Sequence, residues 1–158
     1  MFDKYPEFID TDPRVNRSNT KSYSITKEFT EDRYSAFFNH IDLNGKTVLD
    51  IGSCVSSLGA WVLDKGASFY QGVEFGDSLV KDARDNLSKY WKQNEWDIFE
   101  GYAEDYFKQD DRSFDYIVTS GIIYAYNNPC ELIDECVKRS KNIILESRNP
   151  VKRWVEEH

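Results

Sequence analysis

A chain of 158 residues with a formal charge of −8 and 40% hydrophobic residues is long enough for one domain with its own core. No stretch approaches the roughly 18 uninterrupted apolar residues of a spanning helix, and the first residues lack the order of a signal peptide, so we expect a cytosolic protein. The acidic balance disfavours a chain that holds nucleic acid without a basic partner, because phosphate binding needs a basic surface.

Histidine and cysteine are too sparse for the common metal and nucleophilic sites. Cys54, Cys130 and Cys136 have no CxxC spacing, and neither His40 nor His158 lies near them in sequence. We therefore expect no disulfide framework and no metal centre. A Ser-His-Asp or Cys-His mechanism is disfavoured for the same reason.

The N-terminal part is predicted to be an arm followed by a helix. Residues 1–25 are polar and contain Pro6 and Pro13, which favours an irregular arm. Apolar side chains recur at helical spacing over residues 26–39, and acidic residues favour the N-terminal end of that helix. Asn44-Gly45 then predicts a turn.

Strands and helices alternate from residue 45 onward. Strands are predicted over residues 47–51, 69–74, 96–100, 114–119 and 142–146, and helices over 58–65, 78–93, 131–139 and 151–157. Helical crossovers between strands imply a parallel sheet. We therefore predict an α/β fold, a three-layer, doubly wound and mostly parallel sheet of about five strands.

Nothing in the sequence divides the chain into two domains, since it has no internal repeat and no Gly/Ser linker. We expect one domain over residues 1–158, with the arm and helix in 1–44 and the α/β core in 45–158. Ligands of such sheets bind beyond the carboxyl ends of the strands. Functional residues are therefore sought there.

The first predicted strand ends in the run Val48-Leu49-Asp50-Ile51-Gly52-Ser53-Cys54. A glycine after a buried strand allows a sharp turn and close approach of a ligand, and the next helix offers unpaired N–H groups. Cys54 and Ser57 replace the later glycines of the Gly-x-Gly-x-x-Gly pattern, which disfavours a nicotinamide-dependent reductase. An acid two residues before the glycine suits a ligand that carries positive charge.

This run resembles the first motif of the class I S-adenosylmethionine-dependent methyltransferases, Val-Leu-Asp-x-Gly-x-Gly-x-Gly. The resemblance implies a Rossmann-like fold, S-adenosylmethionine as cofactor and S-adenosylhomocysteine as product. It also implies that Asp50 and Gly52 line the methionine and ribose part of the cofactor. Cys54 and Ser56 stand where the family has its second and third glycines.

Two further segments resemble the family at the ends of the next strands. Glu74 ends the second predicted strand, where a carboxylate can accept two charge-assisted hydrogen bonds from a ribose diol. The segment Gly101-Tyr102-Ala103-Glu104 resembles the family's Gly-Asp-Ala-Glu, which implies contact with adenine. Whether Glu104 or Asp105 is the matching acid stays open.

The longest resemblance runs from Ser113 to Pro129 and includes the end of the fourth strand. It implies that Ser120 and Gly121 pass under the cofactor. Relatives often carry histidine nearby, and its absence here removes a general base. Tyr124 and Tyr126 remain as catalytic candidates that wall the acceptor pocket, where a tyrosine face can attract a sulfonium. Packing of both tyrosines beneath the loop is the alternative.

Taken together, the resemblance implies a set of cofactor-binding residues and no metal. That set is Asp50, Gly52, Ser53, Cys54, Glu74, Ala103, Glu104, Ser120 and Gly121.

The predicted function is methyl transfer from S-adenosylmethionine to an unidentified acceptor, a small molecule rather than DNA. Family members usually continue past the fifth strand with a helix and a strand hairpin, for which few residues remain here. The alternatives are a non-catalytic S-adenosylmethionine-binding or regulatory subunit, and a shortened methyltransferase that requires a partner chain. An uncovered edge strand also favours a homo-oligomer.

Overall fold

The computed structural model describes residues 1–13 and 26–147, and within them five strands form one sheet. The strands are β1 (Thr47–Ile51), β2 (Phe69–Glu74), β3 (Trp96–Glu100), β4 (Tyr116–Ser120) and β5 (Ile143–Glu146). They lie in the order β3-β2-β1-β4-β5, and all four neighbouring pairs are parallel. The predicted doubly wound parallel sheet is confirmed.

Helices cover both faces of this sheet. They are α1 (Glu7–Asp10), α2 (Lys27–Phe37), α3 (Ser57–Asp64), α4 (Asp77–Leu87), α5 (Ala103–Gln109) and α6 (Pro129–Arg139), with a short 3-10 turn over Ile123–Ala125. The predicted final helix over residues 151–157 lies outside the described residues. No helix in the described part of the chain is long and apolar enough to cross a membrane.

Two apolar cores result from the alternation of side chains along the central strand. Val48 packs with buried residues of α2, α3 and α4 on one face, whereas Leu49 and Ile51 pack with Tyr106 and Leu132 on the other. Successive residues of a strand point to opposite faces, so β1 serves both cores. The sheet is thus the middle of three layers.

The prediction of an irregular arm over residues 1–25 is wrong for residues 1–13. Residues 14–25 lie outside the described part of the chain. Phe2 and Phe8 are fully buried, and Tyr5 is nearly so. The rings of Tyr5 and Phe8 pack against Trp91 after α4. Aromatic residues at every third position share one side of a turn, and that side joins the core.

Helix α4 ends at Leu87, earlier than the predicted residue 93. Val80, Ala83 and Leu87 form its buried side, and the polar residues that follow Trp91 offer no further apolar contact in this pattern. Helix α6 begins where Asn128 caps the N–H of Glu131, as the predicted start near Pro129 requires.

Candidate functional site

A cleft of about 940 Å³ opens at the carboxyl end of the sheet. Its floor includes Gly52 after β1 and Glu74 at the end of β2. Ala103 at the start of α5 and Leu132 of α6 form its sides, and Ile122 after β4 closes it near β1. On one side of β1 lie β2 and β3, and on the other side lie β4 and β5. The strand order therefore reverses at β1, and doubly wound folds bind ligands at this switch point.

The cleft combines an apolar interior with an acidic lining. Ile51, Val73 and Phe107 contribute apolar surface. Among the residues that the structure describes, its carboxylates are Glu74, Glu104, Glu131, Asp134 and Glu135, and its cationic residues are Lys108 and Lys138. Both lysines already pair with carboxylates, Lys108 with Asp105 at 2.9 Å and Lys138 with Glu135 at 2.6 Å. The lining therefore suits a positively charged ligand and opposes a polyanion.

Glu74 holds together the two loops that form the floor of the cleft. Its Oε2 accepts the N–H of Cys54 at 2.9 Å, and its Oε1 accepts the N–H groups of Phe75 at 3.0 Å and Gly76 at 2.9 Å. A carboxylate offers about four acceptor positions. About one remains for a ribose hydroxyl, where the sequence predicted two hydrogen bonds.

The loop after β1 keeps a glycine-like backbone at two positions that are not glycine. Gly52, Cys54 and Ser56 all have positive φ, at 79°, 51° and 59°. The N–H groups of Gly52 and Ser53 both donate to the Val73 carbonyl, at 2.9 and 3.0 Å. Cys54 and Ser56 thus adopt the left-handed conformation that normally favours glycine.

Replacing Ser56 with glycine is expected to raise the free energy of unfolding by about 0.5–1 kcal/mol. Glycine relieves the left-handed strain, and this gain exceeds the cost of a more flexible unfolded chain. Urea denaturation measures the change. Ser56→Ala is the matched control, since it removes the hydroxyl and keeps the strained Cβ. Equal stability of the two variants would contradict this prediction.

Asp50 and Ser53 do not line the cleft. Asp50 is 4% exposed, and its Oδ2 accepts the hydroxyl of Tyr70 at 2.9 Å on the α3 face of the sheet. Burial, followed by the charge of Asp50, raises the pKa of Tyr70 well above its ordinary value, so this phenol stays protonated and donates. Ser53 is buried near Gly72. Asp50 lies beneath the loop after β1 and Ser53 is a buried residue of that loop, so both can shape it.

The end of β4 reaches the cleft through Ile122. A Cβ on Gly52 would lie 2.5 Å from Cγ2 of Ile122, so this side chain packs directly on the glycine. Ser120 and Gly121 are not among the lining residues. The hydroxyl of Ser120 donates to Oε2 of Glu146 at 2.7 Å, beside β5.

The two tyrosine candidates lie in different surroundings. Tyr126 lines the cleft, and burial, followed by the charge of Glu104, raises its pKa to about 12. Its phenol is therefore protonated at neutral pH, which makes it a hydrogen-bond donor and not a base. Tyr124 is 60% exposed and is not a lining residue.

Replacing Tyr126 with phenylalanine is expected to flatten the loss of stability at alkaline pH. The folded protein holds the phenolic proton up to a pKa of about 12, against an ordinary value of 10.0. This stabilisation is complete below the unfolded value and is lost as the pH rises through the folded one. Urea denaturation between neutral pH and pH values near the raised pKa measures the slope. An unchanged slope in Tyr126→Phe would contradict the prediction.

Two exposed aromatic residues at the rim of the cleft were not predicted from the sequence. Phe75 and Tyr102 are stacked with ring centroids 5.4 Å apart and an interplanar angle of 10°. Each directly neighbours a predicted site residue, Glu74 or Ala103, and adjacency is the signal that could have found them. Arg33 of α2, which contacts Ser120, was also missed, and no local pattern marks it.

No protein-family profile matches the sequence, and no curated protein matches it either. Solved structures do match. A candidate RNA methyltransferase from Pyrococcus horikoshii superposes with a TM-score of 0.58 and 19% identity, over 82% of this chain and 61% of that one. Magnesium protoporphyrin IX methyltransferase from Synechocystis, with bound S-adenosylmethionine, gives 0.61 and 16%, over 75% and 56%. Precorrin 8W decarboxylase from Methanobacterium thermoautotrophicum gives 0.65 and 11%, over 84% and 69%.

Identities of 11–19% establish the architecture and not the reaction, since one of these proteins is a decarboxylase. The chain spans 61% and 56% of the two methyltransferases. The strand order, the parallel pairing and the cleft at the switch point agree with these superpositions. The chain therefore has the fold of the class I S-adenosylmethionine-dependent methyltransferases.

Proposed function

We propose that this chain binds S-adenosylmethionine in the cleft and transfers its methyl group to a small-molecule acceptor. The observation that carries the proposal is Glu74, a carboxylate 6% exposed that lines the cleft at the end of β2 and binds the loop after β1. Gly52, Ala103 and Glu104 line the same cleft.

The remaining predicted residues lie next to the cleft and do not line it. Cys54 contributes its backbone N–H to the floor, Asp50 lies beneath the loop after β1, and Ser53 is a buried residue of that loop. Ser120 and Gly121 precede the wall formed by Ile122. We propose these roles in shaping the cleft, since none of the five residues is among its lining residues.

The cleft fits a cofactor that is part apolar and part cationic. S-adenosylmethionine would supply a methyl group on a sulfonium, which the acceptor attacks directly as the carbon–sulfur bond breaks and neutral S-adenosylhomocysteine leaves. The chain's own contribution is to hold donor and acceptor in line, to exclude water, and to attract positive charge with its carboxylates. Tyr126 can donate its phenolic hydrogen bond but cannot take a proton at neutral pH. The acceptor is then an atom that is already nucleophilic, such as a neutral amine or a carboxylate, or one whose proton Glu104 accepts.

Ligand-dependent thermal shift tests the cofactor. S-adenosylmethionine and S-adenosylhomocysteine at 100 times their Kd should each stabilise the protein by about 2.7 kcal/mol, whereas NAD should not. No shift with either adenosyl compound would overturn the proposal. Transfer of a labelled methyl group to any component of a cell extract would reject the alternative of a non-catalytic or regulatory subunit.

The acidic lining supports a small neutral or cationic acceptor over a nucleic acid. Polyphosphate binding requires a basic surface, and both lysines of the cleft are paired with carboxylates. When the extract is incubated with the protein and labelled S-adenosylmethionine, the labelled product should be found in the fraction below about 1 kDa. Nuclease treatment should leave the amount of this product unchanged. Label confined to RNA, which vanishes after nuclease treatment, would overturn this choice of acceptor.

We also propose self-association through β5. Among the described residues, β4 is the one strand that pairs with β5, and Leu145 on β5 is 48% exposed. A strand at the end of the described sheet that carries an exposed apolar side chain favours association. Light scattering after gel filtration should give a dimer mass, and a monomer mass across the micromolar range would overturn this proposal.

A further inference from the structure

Arg33 of helix α2 joins the ends of two strands at the carboxyl side of the sheet. Its Nε donates to Oε1 of Glu146 at 3.0 Å, and its Nη2 donates to Oε2 of Glu146 and to the hydroxyl of Ser120. The side chain of Arg33 is 15% exposed and that of Glu146 is 37% exposed, so the ion pair is partly shielded from water. Ser120 is the last residue of β4 and Glu146 the last of β5. One side chain from outside the core sheet thus fixes both ends.

The chain that leaves Ser120 forms a wall of the cleft. Gly121 turns with φ of 71°, and its N–H donates to the Glu146 carbonyl at 2.8 Å. Nη2 of Arg33 lies 3.6 Å from the position that a Cβ on Gly121 would occupy. Ile122 follows and packs on Gly52, and residues 125–128 line the cleft. The place of this wall therefore depends on how Ser120 and Gly121 are held.

We propose that Arg33 is a positioning residue for the cofactor cleft. By holding Ser120 and Glu146 together it fixes the wall that begins at Gly121, and helix α2 thereby affects cofactor affinity without touching the cofactor. The inference rests on the proposed function of the cleft. Nothing in the local sequence of α2 indicates this role, because the partners of Arg33 are far away in the chain.

The geometry requires an arginine and not simply a positive charge. A guanidinium presents several N–H donors in a fixed plane and can bond both oxygens of a carboxylate and a hydroxyl at once. A lysine ammonium is a point charge on a flexible stem and cannot reproduce this fork. Arg33→Lys should therefore keep the charge and lose part of the positioning.

Isothermal titration with S-adenosylhomocysteine, together with thermal denaturation, tests the role. Arg33→Ala, Arg33→Lys and Glu146→Gln are each expected to raise Kd roughly 2- to 30-fold while the protein stays folded at the titration temperature. Arg112→Ala is the matched control. Arg112 pairs with Asp110 and bonds Gln71 away from the carboxyl ends of the strands, so its loss should lower Tm and leave Kd unchanged.

The inference is decided by whether the Arg33 variants change Kd as well as Tm. A merely structural Arg33 would behave like Arg112, with a lower Tm and a Kd within about twofold of wild type for the Arg33 variants, and that result overturns the proposal. If Arg33→Ala does not fold, Arg33→Lys and Glu146→Gln decide by the same criterion. Wild-type protein that does not bind S-adenosylhomocysteine overturns the proposed function and this inference with it, whereas an unchanged Kd in the variants overturns the inference alone.

Discussion

Replacing Glu74 with alanine is expected to abolish measurable cofactor binding and to lower the free energy of unfolding by about 2–4 kcal/mol. The carboxylate accepts the N–H groups of Cys54, Phe75 and Gly76, and its side chain is almost completely buried. Alanine leaves these donors without their partner. The loop after β1 and the turn after β2 are held by the same carboxylate, so both should loosen together.

Urea denaturation and titration with S-adenosylhomocysteine measure the two effects separately. Glu74→Gln keeps one acceptor oxygen and should fall between wild type and Glu74→Ala in both. Glu100→Ala is the matched control, because Glu100 is the register partner of Glu74 on β3, is 46% exposed and pairs with Arg84. Loss of such an exposed pair should change stability by at most about 1 kcal/mol and leave Kd unchanged. An unchanged Kd in Glu74→Ala would remove this carboxylate from the site.

The strands could be predicted closely because each is a short apolar run bounded by turn residues. β1, β2 and β3 have the predicted bounds, and β4 runs over Tyr116–Ser120 where residues 114–119 were predicted. Phe114 is buried but precedes the ladder, so hydrophobicity alone placed the start too early. In the middle of a strand the buried residues are also the paired ones, whereas at its ends a residue can be buried without being paired.

The site could be predicted only where local sequence determines position. Gly52 follows β1 and Glu74 ends β2, and the carboxyl ends of parallel strands meet at one edge of the sheet. Asp50 belongs to the same motif, yet strand alternation places it on the face opposite Ile51 and away from the cleft. A motif match does not say which face a side chain takes.

Long-range pairs left no signal in the sequence. Arg33 and Glu146 are separated by 113 residues, and each has an ordinary charged neighbourhood in its own helix or strand. The N-terminal residues were missed for a related reason. Phe2 and Tyr5 become core residues only because α3 and α4 provide the surface that covers them.

Replacing Gly52 with alanine is expected to lower the free energy of unfolding by more than the same change lowers it at any exposed turn. Gly52 has φ of 79°, and a Cβ there would lie 2.5 Å from Cγ2 of Ile122. The left-handed backbone costs an alanine about 1–2 kcal/mol, and the collision with a packed side chain adds about 1–3 kcal/mol. Relief would have to come from movement of Ile122, which forms part of the cleft wall, so S-adenosylhomocysteine binding should weaken along with stability.

Gly45→Ala separates these two causes, because Gly45 has a similar φ of 72° and nothing lies within 4 Å of the Cβ position. It should cost about 1–2 kcal/mol through the backbone alone and leave the cofactor affinity unchanged. The double variant Gly52→Ala/Ile122→Ala removes the collision and keeps the strained backbone. Its stability, corrected for the single variant Ile122→Ala, should approach that of Gly45→Ala. Equal costs for Gly52→Ala and Gly45→Ala would show that Ile122 yields freely, and the wall beside Gly52 would then not be rigid.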